Sequence, residues 1–487
     1  MFKFLAKTPT EGQGTLSCRR VFPRHLLHRI TTFVVPTFAV LISQTLYSTS
    51  LKAKSSDRPN IVLIFTDDQG VNDVGCYGSE IATPHIDALA TEGLKFNQFY
   101  AASSICTPSR FGLLTGRYAH RSQDSLTSAL MFLEEVDAHR GIRAHENTFA
   151  TQLKSSGYQT ALIGKWHLGH GEETFWPTEH GFDTFFGHTG GCVDFFTLNY
   201  ANRPDWYRGR QLVETDAYAT DVITDEAIRV LQNQGQDAPP LFLQISYNAP
   251  HFGKGWNAEK EKPQNIMQPK PADLQKVQHI ADPLRRAFAA KVVGMDQSIG
   301  RLMQTLKDSK LRDNTLVIFM TDHGGDPRYG GSNQPLRGDK ATLFEGGIRV
   351  PCLVRWPGVV AAGTQTDAVT CAIDWFATLG EIVGFDAPKT DGQSMLPILR
   401  GEATKQTQSR TLVWKTGAHR SLARKSWLAV RSGDWKLVQP PGGGSANKQA
   451  DNTPMLFNLK NDPNEKRNVA KEHADVVKRL LAIGQES

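Results

Sequence analysis

The sequence predicts an α/β fold: a large, mostly parallel sheet flanked by helices, followed by a smaller C-terminal antiparallel α+β domain. Three observations carry this. Short β-rich apolar runs alternate with helical stretches, which is the pattern of strands joined by helical crossovers. Several of these runs end in polar, chemistry-bearing residues, as strands do when a ligand binds at the carboxyl edge of an open α/β sheet. Near residue 400 the texture changes to tryptophan-bearing, turn-rich segments. At 487 residues the chain is long enough for one large domain and a smaller one.

Taken in order, residues 1–56 read as an export signal and linker. Arg19, Arg20, Arg24 and Arg29 precede an apolar run from Ile30 to Leu46, interrupted by Pro36, and then the small polar residues Ser48 to Ser50. The competing reading is an uncleaved membrane anchor, for which the run is barely long enough. Ile61 to Phe65 is the first strand, followed at once by Thr66, Asp67 and Asp68. Pro84 to Glu92 is a helix with Thr83 as N-cap, Pro84 at its first position and Gly93 past its end. Phe149 to Ser156 is a helix stopped by Gly157, before a strand over Gln159 to Ile163. Leu241 to Tyr247 and Leu316 to Met320 are buried strands that lead into Asn248-Ala249-Pro250-His251 and Thr321-Asp322-His323-Gly324. Past the polar stretch Arg400 to Arg410, Trp414, Trp427, Trp435 and the run Pro440 to Gly444 suggest a small antiparallel sheet with a loop. No internal repeat is present.

Charge and cysteine usage narrow the function classes. Residues 1–56 carry eight Lys or Arg and one Glu, a charge of +7, so against the total of +6 the rest of the chain stands at −1. That body has no electrostatic footprint for nucleic acid. Apart from Cys18, the chain has Cys76, Cys106, Cys192, Cys352 and Cys371, with no CxxC spacing of a zinc site. An odd number in an exported chain leaves one thiol for another purpose, and its context singles out Cys106. The other four are open to any of three disulfide connectivities or to a life as small buried apolar residues.

The chemistry gathers at a few points. Asp67 and Asp68 are adjacent carboxylates at a strand end, and Asp322 with His323 stands at another. Buried together, such like charges call for a cation or for protonation, and three carboxylates suit a hard ion such as calcium better than zinc. By itself an Asp pair after a strand is more often a turn or a helix cap. In Cys106-Thr107-Pro108-Ser109-Arg110 the proline can start a helix, placing Cys106 near a helix N-terminus where backbone N–H groups favour an anion. An ordinary buried or activated thiol competes with that reading.

The segment Asn60 to Arg117, read as NIVLIFTDDQG, TPHIDALATEG and CTPSRFGLLTGR, resembles the formylglycine-dependent type I sulfatases of the alkaline phosphatase superfamily. Gly157-Tyr158-Gln159-Thr160, followed by Gly164-Lys165-Trp166-His167-Leu168-Gly169, matches the second signature of that family. Gly181-Phe182-Asp183, Thr321 to Gly324, Leu336 to Lys340 running into Glu345 to Pro351, and Gly433 to Leu437 extend the likeness over nearly everything after residue 57. The resemblance implies a catalytic domain over 57–400 and a C-terminal domain over 401–487. It implies that a separate maturation enzyme oxidises Cys106 to formylglycine, and that calcium is held by Asp67, Asp68, position 106, Asp322 and His323. Arg110 and Lys165 would hold the hydrated aldehyde and the sulfate, and His167, His251 and Lys340 would transfer protons and bind sulfate. Three positions depart from the family pattern: His323 replaces the commoner Asn, Gly253 stands where Pro is frequent after His251, and Asp339 precedes Lys340 where Gly is usual.

The expected activity is hydrolysis of a sulfate monoester on a small molecule or glycan. The chain would be periplasmic or extracellular, without stable membrane insertion once its signal is removed. The alternatives are a phosphate or phosphonate ester hydrolase of the same superfamily, and a non-catalytic glycan-binding protein.

Overall fold

A computed structural model describes residues 58–487, apart from 216, 236, 387, 389, 403–409, 418–425 and 442–452. The expected export signal and the glycine run Gly442 to Gly444 lie outside the described residues. Among the described residues no helix is long and apolar enough to cross a membrane.

Ten strands make the main sheet: β1 (Asn60–Asp67), β2 (Leu94–Phe96), β3 (Gln159–Lys165), β4 (Thr184–His188), β5 (Tyr207–Arg208), β6 (Gln211–Leu212), β7 (Leu241–Pro250), β8 (Thr315–Thr321), β9 (Cys352–Arg355) and β10 (Thr364–Thr366). Their spatial order is β10-β2-β9-β8-β1-β7-β3-β4-β5-β6. The central five, β8 to β4, are parallel, and the antiparallel pairings begin at β9 and β5 on the two flanks. A strand buried on both faces must be apolar on both, and β1 is buried along its whole length.

Residues alternate across a strand, so β1 feeds two cores. Ile61, Leu63 and Phe65 pack with Phe111 of α2 (Cys106–Thr115), Phe149 of α3 (Phe149–Ser155) and Trp375 of α6 (Asp374–Val383). Val62 and Ile64 pack with Ile86 of α1 (Pro84–Thr91), Ile223 of α4 (Ala219–Gln232) and Ile299 of α5 (Pro283–Asp308). Each such side chain contributes about 1.5–3 kcal/mol on full burial. Helices on both faces leave only the strand ends free, and the polar residues sit there.

The strands found by periodicity run further at their polar ends: the third reaches Lys165 and the seventh reaches Pro250. Apolar patterning cannot register those last residues because they are the ones that carry chemistry. Helix α1 differs in another way. Thr83 occupies the N-cap position but makes no side-chain cap bond. Instead Asp296 of α5 accepts from His85 N at 3.1 Å and Ile86 N at 2.8 Å, while Thr83 Oγ1 donates to Asp87.

The C-terminal sheet is antiparallel, with four strands in order, β11 (Thr411–Thr416), β12 (Trp427–Ser432), β13 (Trp435–Gln439) and β14 (Met455–Asn458), followed by α7 (Ala474–Glu486). Leu412, Trp414, Leu437 and Leu456 join the core of α2, α3 and α6, and the Trp414 indole donates to Ala101 O at 2.9 Å. Cys76, Cys106, Cys192, Cys352 and Cys371 are all unpaired thiols, so the reading as small buried residues holds for Cys192, Cys352 and Cys371.

Candidate active site

Parallel strands end side by side, so residues far apart in sequence meet at one edge of the sheet. β1 delivers Asp67 and Asp68, β3 delivers Lys165, β7 leads to His251, and β8 leads to Asp322 and His323. Helix α2 begins at Cys106, which is 3% exposed, with Pro108 inside its first turn.

The ten residues singled out in the sequence converge here. Lys165 Nζ lies 2.5 Å from Asp67 Oδ2, and Arg110 Nη2 lies 3.7 Å from Asp67 Oδ1 and 3.3 Å from Asp322 Oδ2. Lys340 Nζ lies 2.6 and 2.8 Å from the two oxygens of Asp68, so its strong partner is this carboxylate. His323 Nε2 is 3.2 Å from Cys106 Sγ and 3.5 Å from both Asp68 Oδ1 and Asp322 Oδ2. Asp68 and His167 have left-handed backbones, with φ 63 and 58; such conformations are uncommon outside glycine and persist where the surroundings enforce them.

Three imidazoles are oriented by backbone carbonyls. A carbonyl only accepts, so Nδ1 of His323 carries a proton toward Gly324 O at 3.0 Å and turns Nε2 to face the cluster. His251 is held likewise, Nδ1 donating to Phe252 O at 2.8 Å and Nε2 lying 3.5 Å from Asp68 Oδ2. His167 is reversed: Nε2 donates to Leu130 O at 2.9 Å, and Nδ1 is buried with no hydrogen-bond partner.

Electrostatics follow from burial and crowding. Burial raises Asp322 well above the carboxylate range, and the Asp67 charge adds to this. Burial opposes ionisation of Asp67 too, but Lys165, His251 and Arg110 outweigh it and hold the group low. For Cys106, burial is outweighed by Lys165 and Lys340, which hold the thiol well below its usual range. His323 rises to about 10 despite its burial, because Asp322 and Cys106 face it. Asp322 and Cys106 therefore present acidic groups to His323, and a cation bound there would compete with its proton.

The donor set fits a hard cation. Asp67, Asp68, Cys106 and His251 place ligand atoms within 4.8 Å of one another, as do Asp67, Cys106, Asp322 and His323. Asp67 Oδ1 is buried with no hydrogen-bond partner, and three carboxylates supply the oxygen atoms such an ion prefers.

Two buried residues behind the site were not singled out in the sequence. His188 ends β4 directly beside Lys165, and its position at a strand end is the signal that identifies it. Asp205 accepts from Thr189 N at 3.0 Å, Thr189 Oγ1 at 2.7 Å and Gly190 N at 2.8 Å, and Thr189 O in turn accepts from His167 N at 3.2 Å. No motif marks Asp205, because its role rests on a fold contact.

Fold and site together define a hydrolase that gathers buried cations and carboxylates around a residue at a helix N-terminus. The Sulfatase family profile matches residues 59–385, and that of the N-sulphoglucosamine sulphohydrolase C-terminal region matches 338–483. The chain is 32% identical over 467 residues to N-acetylgalactosamine-6-sulfatase of Homo sapiens, covering 88% of this chain and 85% of that one. It is 29% identical over 535 residues to steryl-sulfatase of Rattus norvegicus, covering 92% and 91%. Among solved structures, Ps i-CgsB in complex with k-i-k-neocarrahexaose superposes with a TM-score of 0.76 at 29% identity, covering 88% and 92%. The chain belongs to the sulfatase family, with an alkaline phosphatase-like fold, and is a sulfuric ester hydrolase.

Proposed function

We propose that the chain hydrolyses a sulfate monoester on a carbohydrate, using a formylglycine made from Cys106 and a calcium ion. The observation that carries this reading is the position of Cys106: first residue of α2, buried, 3.2 Å from His323 and within the field of Lys165 and Lys340. The likeness to N-acetylgalactosamine-6-sulfatase and to Ps i-CgsB in complex with k-i-k-neocarrahexaose supports the carbohydrate.

Asp67, Asp68, position 106, Asp322 and His323 would hold the calcium, which when bound supplies positive charge for a sulfate oxygen and for the attacking hydroxyl. As formylglycine, position 106 supplies a hydrated aldehyde, one hydroxyl to attack sulfur and a second to expel sulfate, where a thiol would keep it as a stable adduct. Arg110, Lys165 and Lys340 surround the sulfate oxygens with cations, which offsets the repulsion that shields a sulfate ester from nucleophiles. Asp322 is the base for the attacking hydroxyl. The leaving alcohol oxygen takes its proton from the His251–Lys340 pair, in which the Lys340 ammonium carries one and His251 Nε2 gives one only after taking it up, and the bare Nδ1 of His167 takes the proton of the second hydroxyl.

Export through the segment 1–56 and maturation by a separate oxidising enzyme belong to the same reading. Mass spectrometry of the peptide ending at Arg110, from native protein, tests it directly: the expected product is a sulfur-free aldehyde at position 106, with Cys106→Ala as the blank for sulfate release. An intact cysteine in active native protein overturns the cofactor. Release of phosphate in preference to sulfate would favour the phosphate or phosphonate hydrolase. Chelation should lower the melting temperature even of unmodified protein, by about 2.7 kcal/mol of stability for an ion present at 100 times its dissociation constant.

A further inference from the structure

The hairpin that follows His251 carries a cation with no part in the chemistry above. Lys254 lies on the strand Gly253–Asn257, paired antiparallel with Lys262–Ile266. Its Nζ donates to Asn265 Oδ1 at 2.8 Å and stands 5.8 Å from the centre of the Tyr200 ring. The side chain is half-buried and forms no ion pair among the described residues. Asp194, the carboxylate on the neighbouring loop, is already occupied by Phe196 N at 3.0 Å, Thr197 N at 2.9 Å and Gln268 Nε2 at 2.7 Å. An ammonium at the end of a half-buried side chain, lacking a counter-ion, gains when an anion reaches it.

Aromatic rings flank this lysine and lead to the reaction centre. Phe252 lies 4.0 Å, centre to centre, from His251 and 4.3 Å from Tyr329, and Lys340 Nζ is 5.9 Å from the Phe252 ring. Asn265 ties this wall to Lys254, because its Nδ2 donates to Tyr329 Oη at 2.6 Å. On the other side Phe132 lies 5.0 Å from Tyr200 and 4.8 Å from His170. Phe132, Tyr200 and Phe252 belong to one apolar cluster around Cys192, and Cys192 feels both Lys254 and the sulfate-side Lys165 and Lys340. Phe132, Phe252 and Tyr329 are half-buried, so their remaining faces are apolar surface beside a fixed cation.

Flat apolar faces beside one unpaired ammonium suit the C–H face of a sugar ring that carries a negative group. We propose that Lys254 is a second anion subsite, and that the substrate is an oligosaccharide bearing, besides the scissile sulfate, a further sulfate or carboxylate which Lys254 binds while a ring rests on Phe252 and Tyr329. This rests on the reading of the site as a sulfatase acting on carbohydrate.

Calorimetric titration of the full chain compares three disaccharides: one with a single sulfate, one with two sulfates, and one with a sulfate and a uronate carboxylate. The wild type is expected to bind at least one of the doubly anionic sugars about three- to tenfold tighter than the singly sulfated one, with the advantage shrinking as salt rises. Lys254→Gln should bring that ratio close to one and Lys254→Arg should keep it; which sugar shows the advantage identifies the anion. Equal binding of all three sugars by the wild type, or an advantage that survives in K254Q, overturns the subsite. Sulfate release from the same sugars and from an aryl sulfate, followed on matured wild type, reports separately on the hydrolase. A retained binding advantage with no release from any sugar would support the subsite and overturn the carbohydrate reaction.

Discussion

His167 and His251 are held in opposite tautomers by backbone carbonyls, and this separates what each can do. A base needs a bare nitrogen, which His167 has at Nδ1. The other ring turns Nε2 toward the cluster. His251→Ala should therefore lower kcat by about 10²–10⁴-fold on a sugar sulfate. The loss should be much smaller on an aryl sulfate, whose leaving group departs without a proton, and comparing the two substrates on one preparation checks it.

Asp205 gives a prediction for pH. Burial lifts its carboxyl from 3.8 to about 7. The native state therefore holds a proton that the unfolded chain releases, and the stabilising contribution is full below 3.8 and lost as pH rises to about 7. Melting temperatures across that range should contain this falling component, and Asp205→Asn should remove it. The reactive residues were legible in the sequence because each belongs to a motif or follows a strand. Asp205 was not, since a single Asp in a loop shows its partners only once Thr189 and Gly190 fold against it.

At the scale of elements, α1 shows how a fold contact can replace a local signal. Threonine before proline at a helix start reads as an N-cap, yet the N–H groups of His85 and Ile86 bond to Asp296 of α5, some 210 residues away. Asp296→Ala should cost about 1–2 kcal/mol, measured by denaturant midpoint, whereas Thr83→Ala should cost less through capping. Strands β1, β3, β7 and β8 were legible from apolar runs that lead into polar ends, whereas β2, β4 and β9 were not. Nor were the short strands β5, β6 and β10, two or three residues each, because so few residues show no period.

Across the whole molecule, the C-terminal sheet reaches back into the site through buried charge. Lys436 Nζ lies 2.9 Å from Glu345 Oε1 and 3.0 Å from Glu465 Oε1, all three side chains being fully buried. Glu465 Oε2 also accepts from Glu345 N at 2.6 Å, and Arg337 Nη1 donates to Glu465 O at 3.0 Å. Between Arg337 and Glu345 runs the loop that carries Lys340. Next to it Gly347 O accepts from Gly324 N at 3.0 Å; a Cβ on Gly324 would come within 1.8 Å of Gly346 O, so the two loops touch backbone to backbone beside His323. Lys436→Met removes the one cation shared by two buried carboxylates and should destabilise the fold by about 3–5 kcal/mol. Denaturant unfolding measures this, and sulfate release should fall with it.

The burial of Cys106 sets a timetable. A thiol that is 3% exposed is closed to another enzyme once the helix, the strand ends and the Lys340 loop have come together. On the reading proposed above, the oxidising enzyme must therefore meet this segment while the chain is still open. Lys436 and Glu465 leave the ribosome more than 300 residues after Cys106, so the contacts that finish the loop form late. The interval between those two moments is the period in which the side chain can be converted, and every chain that closes sooner becomes a well-folded but unconverted protein. The yield of active enzyme is then a contest between two rates, and slowing the final closure should raise it.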